Sequence, residues 1–136
     1  MRASAPAPSW QSFPELREEQ VALHVDGEVI GFANAIDCED EVWIAEIAVH
    51  PGYQGRGLGT LLLASVLARY SGRDVALSCD PFAPSGNGWP PSTGLPVEAL
   101  AAWYSRHGFR AGAEQRMLRT AAAIDRKGVR TPSDDG

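Results

Sequence analysis

The chain has 136 residues, 44% of them hydrophobic and 21% charged, which predicts one globular domain and excludes a disordered or collagen-like protein. Its twelve basic and seventeen acidic residues give a formal net charge of −5, which argues against a protein that binds nucleic acid through phosphates. No apolar run reaches the roughly 18 residues of a membrane helix, and no apolar leader follows the first arginine. We therefore expect a cytoplasmic protein with neither nucleic acid nor membrane as a partner.

Composition divides the chain into a folded unit and two tails. Residues 1–14 are rich in proline and show little apolar periodicity, which predicts a flexible N-terminal arm. Residues 123–136 are polar and contain Gly and Pro, which predicts a flexible C-terminal tail. Residues 15–122 are then the folding domain.

The first half of this domain predicts three antiparallel strands in series. Asp26–Gly27 is a two-residue hairpin signal between residues 21–25 and 28–37, and a second polar turn leads into residues 41–49. Apart from Glu46, the third strand is apolar on both alternating sets, which predicts a central strand covered on both faces. Strict alternation gives one set of Val42, Ile44 and Ala48, and another of Trp43, Ala45, Ile47 and Val49.

The second half predicts a parallel unit and a closing hairpin. Residues 58–70 have a helical period and residues 74–79 form a short apolar strand, so a crossover helix joins two parallel strands. Residues 80–95 are a long Gly/Pro-rich loop, a helix runs from Pro96 to about His107, and residues 109–119 supply the last strands. The predicted fold class is α+β, with a central mixed antiparallel and parallel sheet and flanking helices.

The connection between the third strand and the first helix is glycine-rich. Its sequence, HPGYQGRGLGT at residues 50–60, exposes successive backbone N–H groups beside a helix N-terminus, an arrangement typical of a phosphate or pyrophosphate site. It lacks the lysine of a Walker loop and the glycine spacing of a dinucleotide fingerprint. A tight glycine turn that binds no ligand stays open as an alternative.

Three segments carry a family resemblance. The run Gln54-Gly55-Arg56-Gly57-Leu58-Gly59 resembles the Q/R-x-x-G-x-G/A signature of the GNAT superfamily of acetyl-CoA-dependent N-acetyltransferases. IAVHP at residues 47–51 resembles the fourth strand of that family, and AAWYSRHGF at residues 101–109 resembles its last helix. The resemblance covers about residues 20–119. It implies a GNAT-like acyl-CoA N-acyltransferase fold, acetyl-CoA as co-substrate and a primary amine as acceptor. The three histidines and two cysteines show no metal-ligand spacing, so no metal is expected.

The resemblance also implies which residues hold acetyl-CoA. The pantetheine arm would pair with the backbone of the central strand, where two parallel strands splay apart: Ile47, Ala48 and Val49. The pyrophosphate would lie on the N–H groups of the loop and the first helical turn: Gln54, Gly55, Arg56, Gly57, Leu58, Gly59 and Thr60. A solvated surface arginine remains the alternative for Arg56.

Catalytic roles follow from the same resemblance. The hydroxyl of Tyr104 would act as general acid toward the departing CoA thiolate; the alternative is a tyrosine that only covers the core. Glu46 interrupts an apolar strand and is the candidate general base, with an ion pair or a strand-end hydrogen bond as the alternative. His50 and a water molecule are the other candidates for the base. Cys79 has no neighbouring cue for thiolate activation, so we expect an ordinary thiol.

The chain departs from the family at its N-terminal side. GNAT domains usually have a strand and one or two helices before the hairpin, and those helices form the acceptor wall. Only about twenty residues precede Val21, so the strand and helices are expected to be truncated, with at most one short helix in residues 12–20. The loop at 80–95, with Phe82, Asn87 and Trp89, or a second copy in a homodimer would complete the wall. The alternative function is a non-catalytic module that binds acetyl-CoA or CoA. The acceptor, a small molecule or a peptide amine, is left unassigned.

Overall fold

The computed structural model describes residues 7–79 and 96–121. It contains two α-helices, α1 (Leu58–Arg69) and α2 (Val97–Arg106), and short 3-10 turns at Pro14–Leu16, Pro51–Tyr53 and Ala113–Gln115. The strands are β1 (Ser9–Phe13), β2 (Glu18–Val25), β3 (Glu28–Asp37), β4 (Val42–Val49), β5 (Val75–Ser78), β6 (Arg110–Ala111) and β7 (Arg116–Arg119). They form one sheet in the order β1-β2-β3-β4-β5-β7-β6.

The predicted strand pairing is confirmed. β2, β3 and β4 pair antiparallel in series, and the Asp26–Gly27 turn takes the positive φ angles, 52° and 81°, that a tight hairpin requires. β4 pairs parallel with β5, as the crossover through α1 predicts, and β7 pairs antiparallel with β5 and β6. The mixed sheet with flanking helices is therefore the predicted fold class.

β1 differs from the expected irregular arm. Ser9–Phe13 pair with β2, from Ser9 opposite Ala22 to Phe13 opposite Glu18. Trp10 explains this, because its ring packs edge-on against Tyr70 and lies under the Arg69 guanidinium, 4.4 Å from the ring centroid. Tertiary contacts with α1 thus add an edge strand where the local sequence shows little periodicity.

The connection from β1 to β2 is short. It consists of the 3-10 turn Pro14–Leu16 and Arg17, which has a left-handed φ of 54°. A strand thus precedes the hairpin, although the sequence predicted that it would be truncated, and no α-helix stands between this strand and the hairpin. The loop at 80–95 and most of the C-terminal tail lie outside the described residues.

Both helices pack on the same face of the sheet, named here the helix face. Residues opposite each other in the register share a face, and Val21, Ala33 and Ile47 form one such row. A methyl group built on Gly31, in the next row of that face, would lie 3.2 Å from Leu62 of α1. The buried core lies between this face and the helices, and it includes Leu23, Ile44, Leu62, Leu63, Val66, Leu77 and Tyr104.

The opposite face of the sheet, named here the far face, carries a row of polar side chains. Gln20, Asn34 and Glu46 lie opposite one another across β2, β3 and β4. Both α1 and α2 contact the sheet through residues of the helix face, so neither helix packs on the far face.

Strict alternation along β4 does not hold. The register shifts between Asn34 and Ala35, which leaves Ala45 as an extra, exposed residue on β4. Ile44 and Ile47 therefore share the helix face, whereas Glu46 and Ala48 lie on the far face. The predicted face sets are wrong beyond Ile44, since a bulge reverses the alternation after it.

Neither helix of the described ranges is long and apolar enough to cross a membrane.

Candidate functional site

β4 and β5 splay apart halfway along β4. They pair only from Val42–Val75 to Ile44–Leu77, after which β5 continues beside β7 and Cys79 donates its N–H to the carbonyl of Gln115 at 2.7 Å. The rest of β4 has no strand partner on this side among the described residues. An open strand edge therefore lies in the middle of the sheet.

The ladder geometry tells which backbone groups face this splay. His50 donates its N–H to the carbonyl of Ile30 at 2.8 Å, and antiparallel bonding alternates along a strand. Ala48 therefore bonds to β3, while the N–H and C=O groups of Ile47 and Val49 point toward the splay. The Gln54 side chain confirms this direction, because its Nε2 donates to the carbonyl of Val49 at 3.1 Å.

The glycine loop leads from this edge into α1. Gly55 and Gly57 have φ angles of 81° and 78°, and a methyl group built on either would meet no atom within 4 Å. The two glycines are thus required by backbone conformation and not by crowding. Gly57 is the N-cap of α1 and makes no side-chain cap, so no side chain caps the first N–H groups of the helix. Residues 54–57 are exposed.

Arg56 and Gly59 have separate surroundings within the loop. The Arg56 guanidinium lies 5.2 Å from the centroid of the Tyr53 ring, on the exposed side of the loop. A methyl group built on Gly59 would lie 3.6 Å from the Trp103 ring and 4.0 Å from Val49. The Trp103 ring of α2 therefore lies beside the first turn of α1 at the mouth of the splay, with room for a methyl group between them.

Tyr104 lies on the opposite side of the splay from β4. Its side chain is buried in the core, 5.6 Å from the Phe109 ring between centroids, with only 4% of the residue exposed. Burial raises the pKa of its hydroxyl, and the nearby Cys79 thiol raises it further.

Cys79 follows β5 beside Tyr104. The residue is 3% exposed, and its sulfur lies 4.0 Å from the carbonyl oxygen of Val97.

Glu46 is half-buried on the far face, next to the bulge. It forms no ion pair with the described residues, and the Asn34 side chain donates Nδ2–H to its Oε1 at 3.2 Å. Gln20 in turn donates Nε2–H to Asn34 Oδ1 at 2.9 Å. Sequence reasoning missed Gln20 and Asn34. Their signal was present, since polar residues at matching positions of two paired strands meet on one face.

His50 has a structural bond that bears on its role as a base. Its Nδ1 accepts the N–H of Gly52 at 2.9 Å and so begins the turn Pro51–Tyr53. In the tautomer protonated at Nε2, Nδ1 is the nitrogen that could take up a proton, and Nδ1 already accepts this hydrogen bond.

Among the residues that the structure describes, no cluster of three or more His, Cys, Asp or Glu side chains is suited to hold a metal ion.

Comparison with known families identifies the class of the protein. The model described as "Acetyltransferase (GNAT) domain" matches residues 17–111, more than half of the chain. The chain belongs to the GNAT acetyltransferase family, which confirms the resemblance found in the sequence. Family membership supports acyl transfer, with acetyl-CoA as the donor, as its general activity. A search of curated protein sequences finds no match.

Solved structures share the fold. An acyl-CoA N-acyltransferase from Pseudomonas aeruginosa has a TM-score of 0.59 and 22% identity, over 76% of this chain and 68% of the other. A GNAT family acetyltransferase from Elizabethkingia anophelis with acetyl-CoA bound has a TM-score of 0.56 and 16% identity, over 76% of each chain. The PaiA N-acetyltransferase from Thermoplasma acidophilum, in complex with coenzyme A, has a TM-score of 0.54 and 16% identity. That match covers 79% of this chain, which spans 63% of the Thermoplasma protein.

Proposed function

We propose that the protein is an N-acetyltransferase that moves an acetyl group from acetyl-CoA to a primary amine by direct attack. The observation that carries this proposal is the open edge of β4, where the backbone groups of Ile47 and Val49 face the splay beside the glycine loop. A ligand that carries both amide groups and a pyrophosphate suits this combination of strand edge and helix N-terminus.

The residues present fit acetyl-CoA. The backbone groups of Ile47 and Val49 at the strand edge would pair with the amides of the pantetheine arm, whereas those of Ala48 face β3 and not the splay. The N–H groups of residues 54–60 would receive the pyrophosphate, because the positive φ of Gly55 and Gly57 and the uncapped start of α1 leave donors without side-chain partners. Arg56 would add a positive charge from the exposed side of the loop. When bound, acetyl-CoA supplies the activated acetyl group.

Tyr104 would act as the general acid. Its raised pKa keeps the hydroxyl protonated throughout the neutral range, so it is a hydrogen-bond donor there. The buried ring is held in place by its packing against Phe109, and its hydroxyl would give a proton to the departing thiolate.

Glu46 would act as the general base. Its carboxylate is half-buried, has no cation partner among the described residues and lies one residue from Ile47 on the open edge. A carboxylate in this setting can take the proton that the attacking amine loses, directly or through water. His50 is the weaker candidate because its Nδ1 already accepts a backbone N–H.

A non-catalytic module that binds acetyl-CoA is the second candidate function. The observation that favours it is the short β1–β2 connection, Pro14–Arg17, which supplies no helix for an acceptor wall. A homodimer in which a second copy completes that wall would reconcile the short connection with catalysis. Sedimentation at micromolar concentration tests this, because a strictly monomeric protein contradicts it.

Release of CoA thiol on a panel of primary amines separates the two functions. An enzyme releases thiol from acetyl-CoA at a rate that depends on the amine, and the Tyr104→Phe variant releases it more slowly. A module shows a thermal shift with acetyl-CoA and no release with any small-molecule or peptide amine. The absence of both responses would exclude both functions.

A further inference from the structure

A chain of two hydrogen bonds leads to the carboxylate of Glu46 across the far face. Asn34 Nδ2 donates to Glu46 Oε1 at 3.2 Å, and Gln20 Nε2 donates to Asn34 Oδ1 at 2.9 Å. The three side chains come from three adjacent strands, and each lies opposite the next in the register. Cross-strand neighbours of this kind are close enough for direct contact, so the sheet itself sets their spacing.

The bulge at Ala45 brings Glu46 into this row. Without the bulge, strict alternation through Ala45 would place Glu46 on the same face as Val42 and Ile44, which are 0% and 4% exposed beneath α1. An unpaired carboxylate in that core would lose its hydration at a large cost. The bulge instead directs the carboxylate to the face where Asn34 stands.

The carboxylate determines the orientation of both amides. An ionised carboxylate only accepts hydrogen bonds, so Asn34 must turn its NH₂ group toward Glu46. Its carbonyl oxygen then faces Gln20, which must present its own NH₂ group in turn. Reversing Asn34 would place an oxygen against the carboxylate, so one favourable arrangement remains for the whole row.

This arrangement leaves the carboxylate competent as a base. Only Oε1 receives a hydrogen bond from the described side chains, so Oε2 remains for the proton of an acceptor amine. The donor is a neutral amide, which fixes the direction of the carboxylate without the charge of an arginine or lysine.

We propose that Asn34 is a positioning residue for Glu46, and that Gln20 fixes the Asn34 amide in the orientation this requires. The proposal rests on the role of Glu46 as the base in the proposed acetyl transfer. Asn34 touches neither the acetyl donor nor the reacting amine in this account, and it acts through the direction of the Glu46 carboxylate.

The test is a double-mutant cycle on full-length protein, with steady-state kinetics of acetyl transfer. Asn34→Leu removes the donor, and we expect kcat to fall about tenfold while the KM for acetyl-CoA stays unchanged. In a Glu46→Gln background the same substitution is expected to have no further effect, because a positioning residue has nothing left to position. Asn34→Asp, of the same shape, lacks the NH₂ donor and is expected to lose kcat as well, so a failure of Asn34→Leu to fold leaves the test intact.

Two further variants provide a graded response and a matched control. Gln20→Leu leaves Asn34 in place but unfixed, and we expect a loss of about two- to threefold in kcat. Gln11→Leu makes the same chemical change at an exposed position of β1, opposite Gln20 in the register and one strand further from Glu46. It is expected to leave kcat and both KM values unchanged.

The results separate the positioning role from the proposed function. Equal losses from Asn34→Leu in the wild-type and Glu46→Gln backgrounds overturn the positioning role, and so does unchanged kcat in Asn34→Leu. Full activity of Glu46→Gln overturns the base assignment itself. A readout that needs no turnover is the side-chain amide signal of Asn34 in a nitrogen–proton correlation spectrum. We expect it to move on Glu46→Gln substitution, and an unchanged signal would show that Asn34 does not hold Glu46.

Discussion

Arg69 of α1 and Glu19 of β2 form a two-point ion pair, with Nε donating to Oε1 at 2.6 Å and Nη2 donating to Oε2 at 2.8 Å. Tyr70 and Ser12 donate their hydroxyls to the same carboxylate, and Arg69 covers the ring of Trp10. This cluster joins β1 and β2 to the C-terminal end of α1. The helix whose N-terminus faces the glycine loop is thereby fixed at its other end.

The ion pair predicts a pH-dependent stability. The hydrogen bonds from Arg69, with further ones from Tyr70 and Ser12, lower the pKa of Glu19 from its ordinary 4.5 to about 2. A depressed pKa in the folded state stabilises the protein above the ordinary pKa, and this contribution is lost as the pH falls toward 2. Arg69 is 38% exposed and solvent screens the pair, so we expect a contribution of about 1–2 kcal/mol.

Urea unfolding at about pH 6 and about pH 3 measures this contribution. The wild type should lose more stability than Glu19→Gln on acidification, and the difference is the part of the contribution of the pair that is lost by about pH 3. Glu28→Gln, which alters an exposed carboxylate at the hairpin turn, should keep the wild-type dependence. Parallel losses in the wild type and Glu19→Gln would contradict the prediction.

Removing the hydroxyl of Tyr104 should affect catalysis and leave the fold intact. Tyr104→Phe keeps the buried ring and its contact with Phe109, so acetyl-CoA affinity and melting temperature should change little. Turnover should fall by roughly 10²-fold or more, as is usual when a general acid is lost. Tyr70→Phe is the matched control, because it removes the hydroxyl bonded to Glu19 and should lower stability without slowing transfer.

Substitutions of two glycines should separate the effect of backbone strain on stability from the effect on acetyl-CoA binding. Gly57→Ala and Gly72→Ala both place a methyl group at a positive φ, 78° and 87°, with no atom within 4 Å. Each should destabilise the fold by about 1–2 kcal/mol. Calorimetric titration should show weaker acetyl-CoA binding for Gly57→Ala alone, since Gly72 follows the other end of α1. Equal affinities in the two variants would contradict a pyrophosphate site at this loop.

Gly59 should tolerate alanine. Its methyl group would lie 3.6 Å from the Trp103 ring, an ordinary contact, and alanine favours a helix over glycine by about 0.5–1 kcal/mol. Gly59→Ala should therefore be neutral or slightly more stable in urea unfolding and retain acetyl-CoA binding. Gly59→Leu should instead displace Trp103 and lower stability. A strongly destabilised alanine variant would contradict the described packing of α1 against α2.

Local sequence signals predicted the elements around the site better than the contacts within it. The Asp26–Gly27 turn and the glycine loop have backbone requirements that few other residues meet, so both could be predicted from the sequence. β1 was missed because Trp10 gains its stability from Arg69 and Tyr70, some sixty residues away in the chain. A bulge leaves no mark in an apolar strand, which is why the faces beyond Ile44 were assigned wrongly.

The surroundings of Glu46 likewise depend on contacts that the local sequence does not show. Its charge in an apolar strand marked it as unusual, but its partner Asn34 depends on the register of β3 with β4 and on the extra residue Ala45. A one-residue change in register would have placed different residues opposite each other. The sequence therefore marked the carboxylate, and only the assembled sheet shows its hydrogen-bond partner.

The most direct test of the proposed activity is the stoichiometry of transfer. Purified protein, acetyl-CoA and an amine panel are incubated together, and free thiol and acetylated amine are measured on the same samples. The proposal predicts that both products form in a one-to-one ratio at a rate that rises with amine concentration and falls in Glu46→Gln and Tyr104→Phe. Binding of acetyl-CoA with no acetylated product from any amine would contradict it.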